Sequence, residues 1–193
     1  MTNGNIRKIL KIMTWNKANG TFDYKLDDIK ELISKHKPDI FVVTELNLKK
    51  TDFQYITNIN NYNFEHDQLL EKNCISRVGM WIKKKLVFKR EKKHEVSEDP
   101  MVTISVGYPH KRKVLISGIY RQWKRIYDNK EATELSINKQ NQIFKKIINV
   151  FENIIENYKE LVILGDINID YKIMTKDESQ KNGYEKKFNT MIK

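Results

Sequence analysis

The feature that most constrains this chain is an apolar run that ends abruptly on polar residues. Residues 161–164, Leu-Val-Ile-Leu, have the composition of a buried strand, and Gly165 then lets the backbone turn without a Cβ. Asp166 and Asn168 follow two positions apart, so an extended backbone would point both side chains the same way. A carboxylate that accepts a proton, beside an amide that holds an anionic oxygen, suits attack of water on a phosphate ester. The alternative is an ordinary Gly-Asp turn.

The charge balance favours a polyanionic partner. The 193 residues include 36 Lys and Arg against 25 Asp and Glu, a formal net charge of +11 at pH 7. Nucleic acid is the first candidate and an acidic membrane surface the second, while a solvated lysine-rich surface is the alternative. Hydrophobic residues make up 39% of the chain, enough for a packed core, and the length predicts one domain over residues 1–193.

Cysteine content and hydropathy bear on the compartment. Cys74 is the only cysteine, so the chain can form neither an internal disulfide nor a thiolate metal cage. It is interpreted as a small packing residue, with a reactive thiol as the alternative. Residues 1–7 are polar, and no apolar run approaches the length of a membrane span. We therefore expect an intracellular protein that does not enter a membrane.

Periodicity predicts alternating strands and helices. Apolar residues recur at helical spacing before Pro38, and a long amphipathic helix covers residues 143–158. Residues 51–77 favour no single assignment. The segments with strand character are 6–15, 39–45, 79–82 with 86–88 as a strand or hairpin, 101–106, 114–120 and the run that begins at Leu161. The first strand, helix and second strand together form a βαβ signature.

Four of the predicted strands end on polar residues. Polar groups at the ends of buried strands converge where sheet edges meet solvent, which is the usual place for a site. Carboxylate and amide oxygens are the hard ligands that Mg²⁺ prefers, and two carboxylates with waters form an ordinary Mg²⁺ shell. The strand-end residues are Asn16, Glu45, Tyr120 with Arg121, and Asp166 with Asn168.

Five sequence blocks occur in a fixed order along the chain. They are Trp-Asn at 15–16, Pro-Asp-Ile to Thr-Glu at 38–45, Gly-Met-Trp-Ile at 79–82, Gly-Ile-Tyr-Arg at 118–121 and Gly-Asp-Ile-Asn at 165–168. In order and spacing, these blocks resemble the endonuclease/exonuclease/phosphatase superfamily. Within it, the chain looks most like the apurinic-type endonuclease domain of non-LTR retrotransposons, especially in Ile-Tyr-Arg-Gln-Trp at 119–123. The likeness runs from about Ile9 to Tyr171.

The resemblance implies an α/β fold, a DNase I-like two-sheet β-sandwich flanked by helices, with a phosphodiesterase site at its edge that uses Mg²⁺ or Mn²⁺. It implies Glu45 as the principal metal ligand, with Asn16 beside it fixing water or phosphate. Tyr120 would bind a phosphate oxygen or help the leaving group, Asp166 would deprotonate the attacking water, and Asn168 would hold the phosphoryl oxygen. The alternatives are a surface Glu45, a turn-capping Asn16 and a core Tyr120 with a wet hydroxyl.

A basic segment after the Tyr120 strand is a candidate nucleic-acid contact. Arg121, Lys124 and Arg125 are interleaved with Trp123, which suits phosphate contacts and stacking on a base. A solvated hairpin arm is the alternative. The resemblance implies a retrotransposon endonuclease that nicks one DNA strand to prime reverse transcription, acting in the nucleus with a reverse transcriptase domain. The rival hypotheses are an inactive nucleic-acid-binding remnant and a phosphatase of the same fold.

The chain departs from the family pattern after the Asp166 block. The family carries an Asp and a His in a segment near its C-terminus, whereas all four histidines here precede Asp166. Ala18 also stands where many members have a second carboxylate. Loss of one such electrostatic group costs roughly 10²-fold in rate. We therefore expect a domain incomplete at its C-terminus, with the last strands missing, a sheet edge exposed and its activity in question.

Overall fold

The structure is a computed structural model that describes residues 9–16, 21–56, 59–68, 75–97, 99–107, 113–121, 130–158 and 160–167. Side chains are described throughout these ranges except at residues 53 and 130–141. The described residues form two four-stranded mixed sheets that face each other, with a helix on the outer side of each. The predicted two-sheet β-sandwich flanked by helices is confirmed.

The first sheet has the strand order β1-β2-β4-β3. Strands β1 and β2 are parallel and joined by helix α1, which confirms the predicted βαβ unit, while β4 runs antiparallel to β2 and to β3. Helix α1 ends at His36 and is capped by Lys37, which adopts a left-handed conformation (φ 47°) immediately before Pro38. The element bounds are β1 Ile12–Asn16, α1 Phe22–His36, β2 Ile40–Leu48, a 3₁₀ turn Lys50–Asp52, α2 Phe53–Ile56, β3 Tyr62–His66 and β4 Ser76–Lys83.

The second sheet has the strand order β5-β6-β7-β8. Its first three strands are antiparallel, and β8 returns parallel to β7 after the long helix α3. Each sheet therefore has one parallel pair of strands whose connection along the chain contains a helix. In both sheets, the carboxyl ends of these paired strands lie at the same edge of the sandwich. The bounds are β5 Phe88–Arg90, a 3₁₀ turn Lys92–His94, β6 Met101–Gly107, β7 Lys113–Tyr120, α3 Lys130–Asn157 and β8 Leu161–Asp166.

The core has three apolar layers that follow from the sequence pattern. The central layer lies between the sheets and contains Val42 and Met80 from the first sheet and Ile104 and Ile116 from the second. Helix α1 packs on the outer side of the first sheet against Phe41, Val43 and Trp81. Helix α3 packs on the outer side of the second sheet against Met101, Leu115 and Ile119. Because β2 is buried on both faces, it reads as a continuous apolar run instead of an alternating one.

The structure corrects the sequence-based assignment in one place and completes it in another. Strands β4 and β5 lie in different sheets, so the hairpin considered for residues 79–88 is wrong: a turn carries the chain across, and Phe88 pairs with Val106. Residues 51–77, which favoured no assignment, contain α2 and β3. Residues 168–193 lie outside the described residues, so the extent of the domain and the missing last strands stay predictions. Cys74 also lies outside the described residues, and its role as a packing residue stays a prediction. Within the described residues, no helix is both long and apolar enough to cross a bilayer.

Candidate active site

Four strand ends converge at one edge of the sandwich. Asn16 ends β1 and lies opposite Thr44 in the parallel β1-β2 pair. Tyr120 ends β7 and lies opposite Asp166, the last residue of β8, in the parallel β7-β8 pair. Because the two sheets face each other, the ends of these two parallel pairs meet, as the sequence predicted. Asn16 is exposed and the other strand-end residues are half-buried, so solvent reaches the site.

The side-chain amide of Asn16 joins the two predicted carboxylates. Its Nδ2 donates to Oε1 of Glu45 at 3.3 Å and to Oδ2 of Asp166 at 3.1 Å. Since one nitrogen lies this close to both oxygens, the oxygens can be separated by no more than twice the longer distance. A single divalent cation with its inner-shell waters spans such a gap. The fold therefore brings together three residues that are far apart in the chain, as the strand-end pattern predicted.

Glu45 reaches this position from a bulge in β2. The β2-β4 pairing runs regularly to Thr44 opposite Val78 and resumes only at Leu48 opposite Ser76, which leaves three residues of β2 facing Arg77. Glu45 and Asn47 within the bulge have left-handed backbones, with φ values of 54° and 57°. Such bulges re-aim side chains at the ends of strands. Strand β2 continues to Leu48, so the prediction that it ends at Glu45 is wrong. The bulge explains how a glutamate within a buried strand faces the site.

Gly165 brings the end of β8 against its neighbours. Its φ is +121°, and a Cβ built there would lie 2.0 Å from the backbone oxygen of Ile119 and 3.0 Å from the side chain of Thr44. Only glycine fits this close approach. The backbone freedom that the sequence predicted for this position therefore places Asp166 beside β7 and the first sheet.

Tyr120 is held in its neutral form at the site. Burial is the main cause that raises the pKa of its hydroxyl, and the negative charges of Glu45 and Asp166 raise it further. The hydroxyl donates a hydrogen bond to the Glu45 carboxylate, which also raises this pKa, while the nearby Arg77 lowers it. Tyr120 is thus a proton donor facing the carboxylates and not only a core residue.

The donor atoms at this edge fit a hard divalent cation. Within the described residues, no group of three or more His, Cys, Asp or Glu side chains is arranged to hold a metal ion. An ion at this edge would be held by the carboxylates of Glu45 and Asp166, with water completing its shell. This is the way Mg²⁺ binds to proteins, through one or two carboxylates and several retained waters, and Mn²⁺ accepts the same oxygen ligands.

The predicted nucleic-acid contacts are less well placed. Lys124 and Arg125 lie outside the described residues, as does Asn168, so their roles stay predictions. Arg121 is only 9% exposed, and its guanidinium lies 5.0 Å from the ring centroid of Phe144 and 3.4 Å from the carbonyl oxygen of Ile167. Burial lowers the pKa of Arg121, although Asp99 opposes this shift. In this structure Arg121 anchors α3 at the strand end, and its contact with nucleic acid stays a prediction.

Sequence reasoning missed Arg77 and Asn47. Nη1 of Arg77 donates to the side-chain oxygen of Asn47, across the bulge that presents Glu45. Two signals could have found them: Asn is disfavoured in strands but tolerates the left-handed conformation, and Arg77 is a charge that interrupts an apolar strand. Arg77 brings positive charge to a site whose other described groups are neutral or acidic.

Comparison with solved structures finds the same fold at low sequence identity. The 3′-5′ exonuclease NExo from Neisseria meningitidis is 17% identical with a TM-score of 0.62, over 95% of this chain and 70% of that one. The endonuclease domain of TRAS1, a telomere-specific non-LTR retrotransposon, is 9% identical with a TM-score of 0.60, over 95% and 70%. A humanized TDP2 from D. rerio is 16% identical with a TM-score of 0.56, over 83% and 67%. Neither a family model nor a curated protein matches the chain.

These likenesses establish the architecture. The fold is the DNase I-like α/β sandwich. All three neighbours have the fold of the endonuclease/exonuclease/phosphatase superfamily, the one that the five sequence blocks resemble. The chain spans 67–70% of the length of these three structures, and 49–64% of three structures of TDP2 from C. elegans. At such identities the DNase I-like sandwich is what the comparison shows, and the chemistry has to be argued from the site.

Proposed function

We propose that this chain is a Mg²⁺-dependent phosphodiester hydrolase that acts on DNA. The observation that carries the proposal is the meeting of Asn16, Glu45 and Asp166 around one amide nitrogen, at the edge of a DNase I-like sandwich. A structural role alone does not require two carboxylates to approach each other at a solvent-accessible edge, because like charges at this separation repel. A shared cation removes that repulsion.

Each residue of the site has a role in this chemistry. A bound Mg²⁺ would neutralise charge that develops on the phosphate. Glu45 would hold the ion, and Asn16 keeps its carboxylate turned toward Asp166. Asp166 would orient the attacking water and accept its proton. Tyr120, neutral and aimed at the same space, would donate a hydrogen bond to a phosphate oxygen or to the leaving group.

Charge supports an anionic polymer as substrate. The net charge of +11 raises the local concentration of nucleic acid around the domain. At the site itself, Arg77 is held across the Glu45 bulge by Asn47 and lies close enough to Tyr120 to affect its pKa. A guanidinium there would contact the phosphate that Tyr120 also contacts. The neighbour NExo was solved bound to a product DNA hairpin and D. rerio TDP2 with a single-strand DNA product.

Within this class we favour a retrotransposon endonuclease. The Ile-Tyr-Arg-Gln-Trp segment at 119–123 and the likeness of fold to the TRAS1 endonuclease domain support it. In that role the domain would nick one strand to leave a primer for a reverse transcriptase domain, and it would work in the nucleus. A phosphatase is the second candidate, because NExo is described as a 3′ phosphatase. A binding remnant without hydrolysis is the third.

Plasmid nicking tests the proposal directly. Supercoiled DNA is incubated with the protein and Mg²⁺, with EDTA as one control and Asp166→Asn as the site variant. The matched control is Asp23→Asn, which removes an exposed carboxylate from α1. Nicking that needs Mg²⁺ and Asp166 but not Asp23 supports the endonuclease. Release of phosphate from a 3′-phosphorylated oligonucleotide with the plasmid intact supports the phosphatase. DNA binding without either reaction supports the remnant.

A further inference from the structure

Helix α1 buries a lysine completely beneath the proposed site. Lys25 is 0% exposed, although its buried neighbours on the same face of the helix are apolar: Phe22, Leu26, Ile29 and Ile33. Taking an ammonium out of water is unfavourable unless strong acceptors surround it. The Lys25 Nζ donates a hydrogen bond to the backbone carbonyl of Glu45. A completely buried lysine thus contacts the peptide of the residue that the site depends on most.

The peptide that Lys25 contacts lies where the regular pairing of the sheet is interrupted. Strand β1 ends opposite Thr44, and the pairing with β4 breaks after Thr44 and resumes only at Leu48, so Glu45 lies in the gap. Glu45 then adopts a φ of 54°, which is unfavourable for a residue with a Cβ. Such a conformation persists only when the surrounding structure imposes it. A buried carbonyl also needs a donor, and Lys25 supplies one from the helix side.

We propose that Lys25 is a positioning residue that fixes the left-handed Glu45 peptide and thereby aims the Glu45 carboxylate at Asn16 and Asp166. The inference rests on the proposed function in one respect, namely that this carboxylate holds a metal ion. Without the ammonium, the Glu45 peptide would be free to return to an extended conformation. The side chain of Glu45 would then point in a different direction, because the bulge conformation is what aims it at the site. A lysine that only satisfied a carbonyl would leave metal affinity unchanged.

The test measures Mn²⁺ binding by electron paramagnetic resonance of the free ion. Lys25→Met removes the ammonium and keeps a flexible stem of similar size. Lys30→Met is the matched control, since it removes a half-exposed lysine from the same helix. For Lys25→Met we expect the Kd for Mn²⁺ to rise at least 10-fold, and for Lys30→Met a change under 2-fold. A folded Lys25→Met protein that binds Mn²⁺ as tightly as wild type would overturn the proposal.

A second measurement separates this proposal from the proposed function. Amide hydrogen exchange reports on residues 45–47 whether or not a metal binds. We expect exchange at these amides to accelerate at least 10-fold in Lys25→Met and to stay at the wild-type rate in Lys30→Met. If wild type binds no Mn²⁺, the proposed function fails, and exchange alone decides the role of Lys25: unchanged exchange overturns it.

A third variant covers a failure to fold. Lys25→Gln keeps a neutral donor on a side chain one bond shorter, which restores part of the contact with the Glu45 carbonyl, so we expect slower exchange and tighter Mn²⁺ binding than in Lys25→Met. If Lys25→Met does not fold, Lys25→Gln is compared with wild type. The proposal is supported if amide exchange at residues 45–47 is 2-fold to 10-fold faster and the Kd for Mn²⁺ is 2-fold to 10-fold higher than in wild type. Values equal to wild type overturn it.

Discussion

Replacement of Gly165 by alanine tests the backbone approach that delivers Asp166 to the site. The new Cβ would lie 2.0 Å from the carbonyl oxygen of Ile119, whereas ordinary van der Waals contacts begin at 3.4 Å. Strands β7 and β8 must therefore separate by more than an ångström at this point. Left-handed or otherwise rare backbone costs about 1–3 kcal/mol, and overpacking costs another ~1–3 kcal/mol. We expect unfolding to be easier by about 2–6 kcal/mol, a large part of a total of about 5–15 kcal/mol.

The assay is urea unfolding followed by tryptophan fluorescence, and Gly107→Ala provides the control. Gly107 ends β6, and a Cβ built there has nothing within 4 Å. That substitution removes backbone entropy from the unfolded chain, so its effect is expected within ~1 kcal/mol of zero. At about 2–4 °C per kcal/mol, Gly165→Ala should also lower Tm by roughly 4 °C or more. A Gly165→Ala protein as stable as Gly107→Ala would refute the close approach of β8 to β7.

Three further predictions concern charged and titratable groups. Because burial and two carboxylates raise the pKa of Tyr120 above 10.0, Tyr120→Phe should remove a step above pH 10 from an ultraviolet titration. The stability that this proton contributes is present below pH 10 and is lost as pH rises through the raised pKa, and a step lost at or below pH 10 would contradict this. Arg90→Met should lower the free energy of unfolding in urea by about 3–5 kcal/mol. The guanidinium of Arg90 forms ion pairs with Glu65 at 2.9 Å and with the buried Glu95 at 2.5 Å, and both carboxylates would lose this positive charge. A decrease of less than ~1 kcal/mol would be inconsistent with a buried ion pair. Arg77→Met should weaken oligonucleotide binding and reduce the slope of log affinity against log salt by about 1 in fluorescence anisotropy, and an unchanged slope would exclude a phosphate contact.

The strand-end residues were predictable because their positions follow from local rules. Strands β1, β7 and β8 each end on the polar residue that follows the apolar run, whereas β2 continues past Glu45 to Leu48. The fold brings Asn16, Glu45, Tyr120 and Asp166 together, and their roles in metal binding and catalysis stay predictions. The sequence also predicted that Gly165 serves the backbone and not the chemistry. The βαβ unit of β1, α1 and β2 was predictable for the same reason.

The remaining features depend on contacts that periodicity does not encode. The bulge at Glu45 to Asn47 has no signature beyond an asparagine in a strand, because its conformation is imposed by groups from other elements. Lys25 lies at a helical position that would usually be apolar, and only the fold shows that its ammonium ends on a carbonyl of β2. The sequence of β4 and β5 is compatible with a hairpin, although the two strands belong to different sheets. Apolar content alone does not show which sheet a strand joins.

Two arginines near the site differ from what the sequence pattern suggested. Arg121 looked like a phosphate contact because it follows Tyr120 and precedes other basic residues. In the fold it is turned inward against Phe144, where a guanidinium packs on an aromatic ring. Arg77, which no motif marked, lies close enough to Tyr120 to lower its pKa. The sequence does not show which of these two guanidinium groups lies beside Tyr120, because that depends on the fold.

The most direct test of the central claim is to locate a metal ion in a crystal. Crystals grown with MnCl₂ give an anomalous difference signal at the Mn²⁺ position that is much stronger than the signal of any sulfur atom. We expect one strong peak between the carboxylates of Glu45 and Asp166, at about 2.0–2.6 Å from a ligand oxygen, and its loss in Glu45→Gln. A fully loaded crystal with its Mn²⁺ elsewhere, or with no ordered Mn²⁺ at this edge, would contradict a shared metal site.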